Sequence, residues 1–278
     1  MKSVLIPLEL HAQTSATMAT ACLFAKRFES LLEGVFLRPA FAQPLGVEVA
    51  SAIMVPDVPF DDVEARQAAS ERFAAELLTN GLLTLASLDE PGPGGVWNGE
   101  QTIDDSLVGS YGRAFDLTVV GRPADRSGGP RMATLETVLF ESGRLVLIAP
   151  PQAPAALGTN VVIAWNGSPE TARTLAFSRS VLRRASRVTI LVGDDERPGP
   201  SGRQVQRHLA MNGIASEVRV MSAANIRGGE AILAEVRELG ADLVVKGAYT
   251  QSRLRQMIFG GATSSIIART DVPVLMAH

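Results

Sequence analysis

The sequence predicts an α/β fold of two tandem, doubly wound parallel sheets, five strands each, arranged as a pseudo-dimer. Two observations predict it. The chain repeats itself: Asp116 to Gly121 (DLTVVG) matches Asp242 to Gly247 (DLVVKG), and Arg144 to Pro150 (RLVLIAP) matches Val272 to His278 (VPVLMAH). Asn80-Gly81 before LLTLASL matches Asn212-Gly213 before IASEVRV, and Ser3 to Pro7 (SVLIP) is close to Asn160 to Ala164 (NVVIA). Matches in one order define two copies of one unit, about 1–150 and 159–278, joined by Pro150-Pro151-Gln152-Ala153-Pro154, whose prolines favour extended backbone. Within each copy, short apolar runs alternate with segments of helical periodicity, and parallel strands need the right-handed crossovers that such helices supply.

The second copy reads most clearly. Asn160 to Trp165 is its first strand, and Ser168-Pro169-Glu170 starts a helix with a hydroxyl cap, a proline at the first position and an acid in the first turn. That helix is expected to run to about Arg184. Val188 to Val192 is the second strand, and the helix after it ends at Asn212-Gly213, where Gly213 takes the left-handed cap. Ala215 to Met221 is the third strand. Ile232, Val236 and Leu239 share a helix face that Gly240 terminates. Asp242 to Lys246 is the fourth strand, a helix follows Gly261, and Pro273 to Ala277 is the last strand.

Composition narrows the function classes. At 278 residues and 46% hydrophobic content the chain has enough material for two cores. A net charge of −3 with mixed signs argues against a nucleic-acid or membrane-surface partner. The single Cys22 rules out an internal disulfide, and with only His11, His208 and His278 beside it no metal site is expected. Cys22 sits in the apolar helical stretch ATACLFAKRF, where a buried thiol is expected. No apolar run reaches membrane-spanning length. The opening MKSVLIPLELHAQTSA imitates a signal peptide only until Pro7 and Glu9 interrupt it, so a cytoplasmic location is expected.

The chemistry concentrates between Asp242 and Arg269. A strand ends at Gly247, a basic loop carrying Arg253 and Arg255 follows, and Gly260-Gly261-Ala262-Thr263-Ser264 opens a helix. Free amides, the positive end of a helix dipole and two hydroxyls suit a phosphate; the competing reading is a turn that needs glycine only for packing. Gly247, two residues, Thr250, nine residues and Gly260 resemble the Gly-x2-Gly-x9-Gly-Ser/Thr loop of the universal stress protein family. Thr250 stands where the second glycine is usual and Gly261 where the first Ser/Thr is usual. The resemblance implies a Rossmann-like strand order of 3-2-1-4-5 in each half. It also implies a site for ATP or a related adenine nucleotide, with or without magnesium, where strands one and four part. On this resemblance the site comprises Ala164, Trp165, Asn166, Val192, Gly247, Thr250, Arg253, Gly260, Gly261, Ala262, Thr263 and Ser264. Asn166 replaces the usual aspartate of an Asp-x-Ser motif and Ser168 keeps its serine. Val192 matches the position whose backbone meets adenine. Trp165 is open between stacking on a ligand and filling the layer between sheet and helix.

The first copy reads as a worn version of this site. Ala133-Thr134-Leu135-Glu136 stands where the second copy has its glycines, and the Glu136 carboxylate is expected in the phosphate seat; Arg122, Arg126 and Arg131 are either anion contacts or a solvated loop. A long loop from Arg38 to Asp62 carries apolar side chains, which fits a lid or a dimer contact. Enzyme signatures are missing: no Ser-His-Asp set, no H-E-x-x-H and no P-loop occur, and Glu9 with His11 is the one polar pair near a switch point. Two readings follow. One is a stress-response regulator that binds an adenine nucleotide in its C-terminal domain with little or no hydrolysis. The other is a module of the same fold that binds no nucleotide and acts through protein partners, the reading favoured by Thr250 and Asn166. A homodimer is compatible with both.

Overall fold

The computed structural model describes residues 1–38, 62–87, 89–90, 92–124, 128–193, 199–221, 228–248 and 261–278. In the first half, β1 (Ser3–Leu8), α1 (Thr14–Phe28), β2 (Leu31–Leu37), α2 (Asp62–Thr79), β3 (Gly94–Ile103), α3 (Val108–Tyr111), β4 (Leu117–Gly121), α4 (Met132–Glu141) and β5 (Leu145–Ala149) follow one another. The second half continues with β6 (Asn160–Ala164), α5 (Pro169–Phe177), α6 (Arg179–Leu182), β7 (Arg187–Val192), α7 (Gly202–Met211) and β8 (Glu217–Val220). It closes with α8 (Gly229–Glu238), β9 (Leu243–Gly247), α9 (Ala262–Arg269) and β10 (Val274–Ala277). The long stretch expected between Arg38 and Asp62 lies, but for its two ends, outside the described residues.

Each half has the strand order 3-2-1-4-5, and every pairing within a half is parallel. The two separate sheets that the sequence suggested are, however, one ten-stranded sheet, β3-β2-β1-β4-β5-β10-β9-β6-β7-β8. The halves join where β5 and β10 pair antiparallel, with Leu275 opposite Leu147. This follows from the repeat: a two-fold relation brings the same edge strand from each copy together, and like strands related in that way run antiparallel. Pairing also removes two apolar edges that would otherwise invite aggregation. The free edge at β8 is short and charged, with Glu217 bonded to Arg187 and Arg219 to Glu235 and Glu238.

Strand residues alternate between two apolar layers. Val4, Ile6, Val161, Ile163, Leu243 and Val245 pack under α1, α2, α5, α6 and α7. Leu5, Val162, Val244 and Met276 pack under α3, α4, α8 and α9. Cys22 is buried in the first layer, and burial pushes its thiol up to about 12, so it is inert. The helix expected to run to Arg184 breaks at Ser178, whose hydroxyl bonds back to the carbonyl of Thr174 and competes with the helical ladder. The repeated aspartates have a common structural task. Asp116 accepts the amides of Lys2 (2.6 Å) and Ser3 (3.2 Å), and Asp242 those of Thr159 and Asn160 (2.9–3.0 Å), each tying the start of its half's first strand.

Because Leu147 and Leu275 are both fully buried at the seam, Leu147→Ala is expected to cost about 2–5 kcal/mol in urea unfolding. Trimming the exposed Met211 to alanine is expected to stay within about 0.5 kcal/mol. Equal costs for the two would deny the seam its role.

Candidate functional site

The carboxyl ends of β6, β7 and β9 meet the starts of α5 and α9, the place where winding reverses. Ser168 caps α5, accepting the Thr171 amide at 3.2 Å, with Pro169 and Glu170 in the first turn as the sequence predicts. Asn166 Oδ1 accepts the Thr171 hydroxyl at 2.6 Å and the Ser168 amide at 3.2 Å. The Asn166 acceptor is thus engaged in starting α5. Trp165 is partly buried against the core and donates Nε1–H to the Pro200 carbonyl at 2.8 Å. Ala164 is buried at the end of β6. The Val192 carbonyl accepts the Met221 amide at 2.8 Å.

Gly247 closes β9 directly against the first turn of α5. A Cβ there would lie 2.3 Å from the Thr171 nitrogen and 2.6 Å from the Glu170 carbonyl carbon. These are backbone atoms that cannot step aside, so the protein's own packing already requires this glycine. Gly121 repeats the arrangement in the first half, where a Cβ would meet Pro130 at 2.5 Å and the Thr17 hydroxyl at 2.9 Å. Thr250, Arg253 and Gly260 lie outside the described residues. Gly261 is the N-cap of α9 in extended conformation with no side-chain cap, and Ala262, Thr263 and Ser264 form the first turn.

Lys246, the charged residue near the end of β9, enters this turn. It is only 6% exposed, and its ammonium donates to the Gly247 carbonyl and to the Thr263 hydroxyl, both at 2.8 Å. Burial pulls it down from 10.5 to about 8, with Glu170 pulling the other way. The available signal was the repeat itself: DLTVVG has Val120 where DLVVKG has Lys246.

The first half fills the corresponding turn with carboxylates, though not with Glu136. Asp105 accepts Arg131 Nε at 2.9 Å, Arg131 Nη2 at 3.0 Å and the Thr134 hydroxyl at 2.6 Å at the start of α4. Glu9, arriving from the end of β1, lies 3.6 Å from Arg131. Burial pushes the Glu9 carboxyl up to about 7 against the pull of Arg131, and Asp105 adds to the rise. Glu136 is half-buried within the helix. Arg122 donates to the Thr270 carbonyl at 2.8 Å, bridging the halves, and Arg126 lies outside the described residues. His11 is held low, at about 4, by burial and by Arg131, and its Nδ1 accepts the Gln13 amide at 3.0 Å. A cavity of about 270 Å³ beside it is lined by Leu10, His11, Thr14, Ala68 and Arg72. Among the described residues no group of His, Cys, Asp and Glu is arranged to hold a metal, and no helix is long and apolar enough to cross a membrane.

Fold and crevice define a doubly wound α/β protein with its candidate site at a strand-order reversal. Residues 204–278 match the family model described as the Universal stress protein family. The chain is 24% identical over 169 residues to the universal stress protein Slr1230 of Synechocystis, covering 58% of this chain and 57% of that protein. It is 36% identical over 47 residues to the stress response protein NhaX of Bacillus subtilis, 17% of this chain and 28% of that one. The match thus spans little more than half of the first relative's length and far less of the second's. A universal stress protein from Archaeoglobus fulgidus shares the fold over 99% of this chain and 95% of its own, with a TM-score of 0.70 at 19% identity. Residues 204–278 are thus similar to the universal stress protein family, and the whole chain shares its fold with a protein of that name.

Two outcomes are expected here. Gly247→Ala should destabilise by about 1–3 kcal/mol or more, measured by urea unfolding, because a backbone must move to admit the methyl. Between pH 4.5 and 7 the folded chain keeps a proton on Glu9 that the unfolded chain releases, a contribution that lowers stability by about 3 kcal/mol as pH rises, while His11, held low, acts in the opposite sense between about pH 4 and 6.5. Glu9→Gln should remove the Glu9 contribution and leave stability rising with pH over that range, and a profile unchanged from the wild type would deny Glu9 its raised titration.

Proposed function

We propose that this chain is a stress-response regulator that binds one ATP or related adenine nucleotide in its C-terminal half. The match of residues 204–278 to the universal stress protein family supports the stress-response role. The observation that carries the nucleotide reading is the first turn of α9, which starts on Gly261 without a side-chain cap beside the ends of β6 and β9. Its amides and the Thr263 and Ser264 hydroxyls suit phosphate oxygens. Thr263 Oγ accepts from Lys246, and its own proton stays available to a phosphate. Gly260, Thr250 and Arg253 belong to this proposal through the family's loop pattern. In the first half, Asp105 and Glu9 hold the equivalent turn, so a polyphosphate there would meet carboxylates, and one nucleotide per chain follows.

Hydrolysis in this reading is slow or nil. Asn166 carries no charge, and Asp242 is committed to Thr159 and Asn160 at the other end of its strand. The engagement of Asn166 Oδ1, the Trp165 indole and the Val192 carbonyl within the protein favours the second reading, a module of the same fold that works through protein contacts.

Titration calorimetry with ATP separates the two. The nucleotide reading expects one site per chain, about tenfold weaker binding in Thr263→Ala, no binding in Gly260→Val, and turnover well below about 1 per second. Two equivalent sites would contradict the closure of the first half, and no site at all would favour the interaction module.

A further inference from the structure

The two halves balance charge at their equivalent turns in opposite ways. At the start of α4 the strand residue is Val120, buried in the second apolar layer, and the charges are Asp105 and Glu9 gathered around Arg131, answered within the chain. At the start of α9 the strand residue is Lys246, and no carboxylate among the described residues lies within ion-pair distance of it. A buried ammonium is costly unless an anion answers it, and here it also faces the positive end of a helix.

Among the described residues Glu170, from the first turn of α5, is the one titratable group whose field Lys246 feels, and it is not in contact. From α9 Lys246 meets the Thr263 hydroxyl, and the charge at the far end of that helix, Arg269, is paired with Glu230 of α8. Lysine has three N–H donors and two are used, on the Gly247 carbonyl and on Thr263. Among the described residues, one donor and one charge are left without a partner.

We propose that Lys246 is the internal cation of the C-terminal phosphate seat, answering the polyphosphate of the ligand and making that site's affinity depend on its protonation. This rests on the reading that the C-terminal half takes a nucleoside polyphosphate, and it assigns a specificity role to a side chain outside the loop pattern. Lys246 reaches the ligand from the strand, through the sheet's own layer, and holds the Thr263 hydroxyl in place to donate. A neutral ligand gains nothing from it. An anion keeps the ammonium protonated, so binding takes up a proton where the free amine has lost it, above about pH 8.

The test titrates the full chain with ATP and, separately, with inorganic tripolyphosphate between pH 7.5 and 9.5, for the wild type, Lys246→Met and Lys246→Arg. Methionine matches the length of the buried stem without charge, and thermal melting checks that each variant folds. The wild type is expected to lose about tenfold or more in affinity for both probes across this range. Lys246→Met should bind about tenfold more weakly at pH 7.5, with no pH dependence, and Lys246→Arg should restore binding without the slope. With Lys2 and Lys26 the only other lysines, the amine resonance that disappears in Lys246→Met reports its titration directly. If ATP binds but Lys246→Met matches the wild type in affinity and slope, Lys246 is a structural tether and the proposal falls while the nucleotide reading stands. Tripolyphosphate binding that needs Lys246, without ATP binding, would keep the proposal and reject the adenine reading. Folded wild type that binds neither probe overturns both.

Discussion

The pairing of β5 with β10 governs the rest of this structure. It is antiparallel, it lies at the centre of the sheet, and it fixes how the two copies face one another. Strands run one way in the first half and the opposite way in the second. The carboxyl ends of β1 and β4 therefore lie at one end of the sheet and those of β6 and β9 at the other. Two crevices at opposite ends cannot share a ligand, so each has been free to diverge.

Their divergence is a matter of charge. Both retain the same scaffold: an aspartate that ties the first strand, a glycine that lets the fourth strand close on the following helix, and a buried threonine in the first turn of the next one. In the first half that threonine donates to Asp105, and Arg131 and Glu9 complete an internal network. In the second half it accepts from Lys246. One turn is closed by carboxylates brought from β1 and from the segment after β3. At the other, Lys246 is a buried cation, and no carboxylate among the described residues lies within ion-pair distance of it.

Much of this was legible in the sequence because it is local or repeated. DLTVVG and DLVVKG marked the fourth strands, Ser168-Pro169-Glu170 marked a helix start, and Asn212-Gly213 marked a helix end. Less legible were features made by residues distant along the chain. Glu136 was assigned to the first half's turn because it is adjacent in sequence, whereas Glu9 reaches that turn from more than 100 residues away. The repeat puts the last strands of the two copies near one another, but not their pairing in one ladder, so two sheets were expected where there is one. Gly247 satisfies a ligand pattern and a packing need with the same atoms, and only the 2.3 Å approach to Thr171 reveals the second. Lys246 was visible as the polar exception in an apolar strand, but its meaning depends on Thr263 across the layer.

The most direct measurement of the central claim, that the C-terminal turn is open to an anion and the N-terminal one is closed from within, is a diffraction structure of this chain crystallised with ATP. Phosphate density is expected at the first turn of α9, with the Lys246 ammonium turned toward it, and Asp105 still holding Arg131 and Thr134 at α4. Density at the start of α4 with Asp105 displaced, or none at either turn in crystals grown at saturating nucleotide, would contradict it.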